Sequence, residues 1–86
     1  MPRVILTGSI RQHVGGLGAI DVSGDTAAQV VSALEAAYPP LRGWVVDERG
    51  TLRRHVKLFL HGSAVGLDAP VGQDDELHIV AAISGG

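Results

Sequence analysis

An α+β fold, with a mixed sheet of four to five strands packed on one main helix, is predicted by three features of the chain. Short apolar runs with β-branched residues or period-two alternation recur between turns rich in glycine and proline. One well-capped helical stripe stands between the second and third of these runs. The 86 residues are 45% apolar but only 3% aromatic, so a single domain must build an aliphatic core from Val, Leu, Ile and Ala. A chain of this length buries somewhat over roughly 60% of its unfolded surface, enough for one thin core.

Arg3 to Thr7 is β-branched and apolar and is closed by Gly8, which reads as a first strand. Residues 9 to 18 contain Gly15, Gly16 and Gly18 and are expected to form a flexible hairpin loop. Ala19 to Ser23 then returns as a strand, with Ile20 and Val22 on one face. Thr26-Ala27-Ala28-Gln29 fits a capping box, where the hydroxyl and the amide satisfy free N-terminal N–H groups. From there Ala27, Val30, Val31, Leu34 and Tyr38 make one apolar stripe at helical spacing, and Pro39-Pro40 ends it. Trp44 to Val46 is a short strand before an Asp47–Gly50 turn. In the next strand, Leu52 to His61, Val56, Leu58 and Leu60 point one way while His55, Lys57, Phe59 and His61 point the other. Residues 62 to 75 are turn-rich. Glu76 to Ala82 is the last strand, with Leu77 and Ile79 toward the core, and is expected beside the first.

Composition excludes several function classes. A net charge of −2 with scattered basic residues argues against nucleic-acid binding. The absence of cysteine removes disulfides and thiol catalysis. The N-terminal apolar run is too short for a signal peptide, and no stretch approaches membrane-spanning length, so a soluble, cytoplasmic protein is expected. Gly15-Gly16-Leu17-Gly18 lacks the spacing of a phosphate loop. His55 and His61 stand six apart on a strand, too far to share a metal, and Asp74-Asp75-Glu76 reads as a solvated turn. The serines lack a His and Asp arrangement for nucleophilic catalysis. No enzyme emerges from the residues.

The C-terminal "DDELHIVAAISGG" resembles the signature of the ThiS/MoaD family of sulfur carrier proteins, which are ubiquitin-like β-grasp proteins. "LRRHVKLFLHGSAVGLDAPVGQDDEL" looks like that family's middle strands and crossing turn, and "DTAAQVVSALEAAYPPL" occupies the place of its helix. The resemblance implies a β-grasp domain over residues 1–82 and a flexible Gly-Gly tail over 83–86. It implies that an E1-like adenylyltransferase of the ThiF/MoeB type adenylates the Gly86 carboxylate with MgATP. A sulfur donor then displaces AMP to leave a thiocarboxylate at Gly86, with no trimming needed and no cofactor bound to this chain.

Physical chemistry accounts for the glycines in that scheme. An ionised carboxylate is a poor electrophile, Ala82 to Gly86 can span roughly 15–18 Å, and glycine lets the backbone thread a narrow channel. Ser84 and Gly85 give clearance behind the reacting carbonyl. The resemblance also implies that the open sheet face binds partners, with Phe59, His78 and Val80 as a patch and Arg53, Lys57 and His61 as its polar rim. A downstream sulfur-accepting synthase would receive the sulfur for molybdopterin, thiamin thiazole, cysteine or a similar product. In the molybdopterin case the chain would be the non-catalytic small subunit of the synthase. The same adenylate could instead feed conjugation of Gly86 to lysines, as in a ubiquitin-like modifier. A plain β-grasp interaction domain is a third reading.

Overall fold

In the computed structural model, which describes residues 1–81, alternation decides the first strand. Val4 and Leu6 of β1 (Arg3–Thr7) are buried, and Arg3 and Thr7 are exposed. β2 (Ala19–Asp21) pairs antiparallel to β1, Ile20 opposite Val4. After α1 (Ala27–Ala37) come β3 (Val56–Leu60), β4 (Ser63–Val65) and β5 (Glu76–Ala81). The five strands lie in the order β2-β1-β5-β3-β4. β5 is therefore the central strand, parallel to β1 and antiparallel to β3. The expected mixed sheet on one main helix is the one that forms.

One face of this sheet is a core. Val4, Leu6, Val56, Leu58, Leu60, Leu77 and Ile79 form a continuous buried cluster with Ala27, Val30, Val31 and Leu34 of α1. Each fully buried Val, Leu or Ile contributes about 1.5–3 kcal/mol relative to an exposed one, so the aliphatic stripe rather than helix propensity holds α1 in place.

The start of α1 shows how its free N–H groups are met. The Gln29 N–H donates to Thr26 Oγ1 at 3.2 Å, and Gln29 Oε1 accepts from the Asp25 N–H at 2.8 Å, one residue further back than in a reciprocal capping box. The N–H groups of Ala27 and Ala28 donate to the carbonyls of Ala69 and Leu67. The turn-rich segment before β5 thus closes the helix N-terminus. Gly24 makes this tight entry possible: its φ is +152°, and a Cβ there would lie 2.7 Å from the Val30 nitrogen.

Several elements differ from the sequence expectation. Residues 9 to 18 are not a hairpin loop; Gly8–Val14 is a 3-10 helix whose Ile10 and Val14 enter the core. Gly15, at φ +70°, ends it by donating its N–H to the Arg11 carbonyl. The returning strand is only three residues long. Trp44–Val46 is not a ladder strand. The Trp44 N–H closes a turn onto the Leu41 carbonyl, and Val46 makes only a single bridge, to Leu52, across the Asp47 turn. β3 begins at Val56 rather than Leu52, because the Val56 N–H turns back to the Arg53 carbonyl. It ends at Leu60, where His61 (φ 54°) and Gly62 (φ 80°) form a two-residue hairpin turn into β4, a strand that the breaker residues had hidden. The expected boundary between a domain ending at 82 and a tail at 83–86 lies outside the described residues.

Candidate functional site

The sheet face opposite α1 carries no covering element among the described residues, and strand register sets its composition. Directly paired residues on neighbouring strands share a face. Ala19 pairs with Ile5, Ile5 with His78, His78 with Phe59 and Phe59 with Ala64, so one row crosses all five strands. The row beside it runs Thr7, Val80, Lys57. Phe59, His78 and Val80 are half-buried by their neighbours, and Lys57 is exposed. These four predicted partner-binding residues are brought together. His61 stands just beyond the end of β3, its Nε2 at 3.2 Å from Asp75 Oδ1, a contact that becomes an ion pair when the imidazole is protonated. His78 Nε2 lies 3.7 Å from Glu76 Oε1, and the two imidazoles line one shallow groove with Asp74, Asp75 and Glu76.

Arg53 is not in this patch. It precedes β3, its guanidinium donates to the Gly43 carbonyl, and its backbone N–H donates to the Val45 carbonyl at 3.0 Å. Ile5, Thr7, Ala19 and Ala64 are the face residues that sequence reasoning missed. The alternation of Arg3 to Thr7 already sets Ile5 opposite the buried Val4 and Leu6, whereas Ala64 requires knowledge of β4.

The end of β5 is the second feature. Ala81, the last described residue, pairs with Val56 of β3. Gly8 packs against it on the β1 side, where an added Cβ would come within 3.3 Å of the Ala81 carbonyl oxygen. The predicted chemical site, Gly86, and the predicted clearance residues Ser84 and Gly85 lie outside the described residues.

A further groove, of about 330 Å³, runs between α1 and the Asp47 turn and is lined in part by Val31, Glu35, Val46 and Glu48. Glu35 Oε2 is shielded there without a hydrogen-bond partner. Burial raises the Glu35 pKa above its usual value of 4.5, and the Arg42 charge only partly offsets this. A raised carboxyl pKa means that the folded chain binds more protons than the unfolded one just above pH 4.5. Stability therefore falls as pH rises through that window. Glu35→Gln is expected to remove this slope and to raise the melting midpoint at pH 7 relative to the parent, as thermal melts from pH 4 to 7 will show. An unchanged pH profile would contradict the assignment.

Among the described residues no group of three or more His, Asp or Glu side chains could hold a metal ion, and no helix is long and apolar enough to cross a membrane. No protein-family model matches the chain. The sulfur carrier protein CysO of Mycobacterium tuberculosis is 32% identical over 83 residues, covering 90% of this chain and 89% of that protein. The chain belongs to the sulfur carrier protein family. The fold of this sulfur carrier agrees with that membership. The crystal structure of M. tuberculosis CysO superposes with a TM-score of 0.87 at 29% identity, over 96% of this chain and 100% of that one. A chain of the Amycolatopsis orientalis BexX/CysO complex gives 0.89 at 26% identity, over the full length of both chains. The small archaeal modifier protein 1 of Haloferax volcanii gives 0.83 at 29% identity, over 99% and 98%. The sheet and helix are thus the β-grasp of the ThiS/MoaD type.

Proposed function

We propose that this sulfur carrier bears its sulfur as a thiocarboxylate on Gly86. An E1-like adenylyltransferase of the ThiF/MoeB type joins the Gly86 carboxylate to the α-phosphate of MgATP and releases pyrophosphate. A sulfide-level donor, hydrosulfide or its equivalent, attacks the acyl carbon, AMP leaves with the bonding electron pair, and the thiocarboxylate remains. A downstream synthase then transfers the sulfur to its substrate, and water attacks the acyl carbon to break the C–S bond and restore the carboxylate. That the similar CysO forms a complex with BexX supports a protein partner for this chain.

The observation that carries this reading is the place of β5. The strand that leads to Gly86 is the centre of the sheet, paired on both sides, with its core-facing Leu77 and Ile79 fully buried. A segment to be inserted into another protein's active site needs such an anchor, because a partner pulling on it works against the whole sheet rather than a fraying edge. The five residues after Ala81 can reach roughly 15–18 Å.

Intact-mass measurement after incubation with the host's E1-like protein, ATP, magnesium and a sulfur donor should show replacement of one oxygen by sulfur. A terminus unmodified by every candidate activator would refute the reading. The open face provides the docking patch in this reading. Phe59→Ala is expected to lower kcat/KM for activation by about tenfold, as for an interface anchor, and a wild-type rate would remove Phe59 from the patch.

Conjugation to target lysines is a second reading, favoured by the likeness to small archaeal modifier protein 1. It predicts a Gly-Gly remnant on target lysines, which sulfur transfer does not leave.

A further inference from the structure

Charge is distributed unevenly along β5. Of the seven Lys and Arg residues, Arg11, Arg42, Arg53, Arg54 and Lys57 fall in three segments, 8–14, 41–46 and 53–57, that contain no Asp or Glu. The fold gathers these segments at the end of β5 where Ala81 lies. Segment 8–14 leaves β1 at Thr7, opposite Val80, and Gly8 abuts the Ala81 carbonyl. In segment 53–57, Val56 pairs with Ala81 and Lys57 with Val80. Segment 41–46 is tied to both. The His13 ring stacks on Trp44 with centroids 4.3 Å apart and planes at 20°, and the Arg53 guanidinium holds the Gly43 carbonyl. At the other end of β5 stand Asp74, Asp75 and Glu76, with Asp21 across β1.

Trp44 is 49% exposed although it is the largest side chain of the molecule. It borders a groove of about 380 Å³ with Arg42, Gly43, Arg53 and His55. Stacking on His13 and the tether at Gly43 hold the indole in place before any partner arrives, so little rotamer freedom remains to be lost on binding. A fixed, exposed Trp among guanidinium groups has the composition of an interface anchor. Glu35, Asp47 and Glu48 line a separate groove with Arg42, whereas the groove beside Trp44 is lined by Arg42, Gly43, Arg53 and His55 and, among the described residues, by no carboxylate.

We infer that this basic collar, anchored by Trp44, docks the activating enzyme through a carboxylate-lined rim and an apolar recess for the indole. The inference rests on the carrier function proposed above and adds a second surface to the open sheet face. Complementary charge at this end would orient the approach so that the segment after Ala81 arrives first. A protein partner fits better than RNA. The chain is net negative, and a collar of five cations backed by carboxylates gives little purchase on a phosphate backbone.

The test uses the full chain with the host's E1-like enzyme, ATP and magnesium, reading pyrophosphate release. Arg54→Glu and Trp44→Ala are each expected to lower kcat/KM about tenfold, mainly through KM. Arg3→Glu makes the same charge change at the acidic end and should leave the rate near that of wild type. The Arg54→Glu loss should shrink between about 0.01 M and 1 M salt, as the screening length falls from roughly 30 to 3 Å. Both replaced side chains are exposed, and circular dichroism melts will verify folding.

Wild-type kinetics for Arg54→Glu and Trp44→Ala, with the parent activated, would overturn the collar and leave the carrier function standing. Tight binding of a single-stranded RNA oligomer that Arg54→Glu abolishes, with activation unchanged, would reassign the surface to nucleic acid. A parent chain that no candidate enzyme activates would overturn the carrier function and the collar with it.

Discussion

Removal of Gly86 is expected to lower sulfur loading by at least about 100-fold, because a displacement of 1 Å from reactive geometry already costs about that factor. One residue fewer withdraws the carboxylate by roughly 3.3–3.6 Å. The core that ends at Ala81 keeps every residue, so the shortened chain should melt as the parent does. Gly86→Ala separates length from profile: reach is retained, but a Cβ now crowds the carbonyl that ATP and then the sulfur donor must approach. Intact-mass analysis of the loaded fraction under single turnover distinguishes the three chains. Loading of the shortened chain at the parent rate would show that the chemistry is not at Gly86.

Ile79→Ala should be the most damaging single substitution of β5, with a loss of about 2–5 kcal/mol. Ile79 is 0% exposed and is paired with Leu6 on one side and Leu58 on the other. Its truncation opens a cavity at the centre of the sheet, where neighbours on both flanking strands are held by their own ladders and cannot collapse. Small domains have only about 5–15 kcal/mol in total, and each kcal/mol moves the melting midpoint of a chain this size by about 4–8 °C. A drop of at least about 8 °C in a thermal melt is the expected reading. A small change would mean that the sheet repacks around the site. Because β5 leads to Gly86, this variant should also lose loading at temperatures where it is partly unfolded and recover it on cooling, unlike the Gly86 variants.

Local chemistry made much of the fold legible. Thr26 and Gln29 announced the start of α1, and the Gln29 amide was off by only one residue in its choice of N–H. Val56, Leu58 and Leu60 alternate with Lys57 and Phe59 strongly enough to assign both faces of β3. The elements that escaped are those whose state depends on distant partners. Ile10 and Val14 have the spacing of a helix face, yet the glycines that follow suggested a loop, because only burial under the sheet end makes a 3-10 helix worthwhile there. Trp44 to Val46 has strand propensity but finds no ladder. Ser63 to Val65 has little propensity and becomes a strand because the His61–Gly62 turn delivers it to β3.

The candidate site divides in the same way. The patch of Phe59, His78 and Val80 followed from period-two alternation, since alternation fixes which side of a strand a residue takes. The displacement of Arg53 from that patch, and the meeting of His13 with Trp44, did not. They depend on backbone turns that bring residues 43 and 53, and 13 and 44, into contact. By itself the sequence determined the elements whose signals are local: the start of the helix and the apolar faces of helix and strands. Only the tertiary structure decided that β5 is central and that the cations ring its end. Strand order and the company of charges are set by pairings between residues far apart in the chain, whose energies no local pattern records.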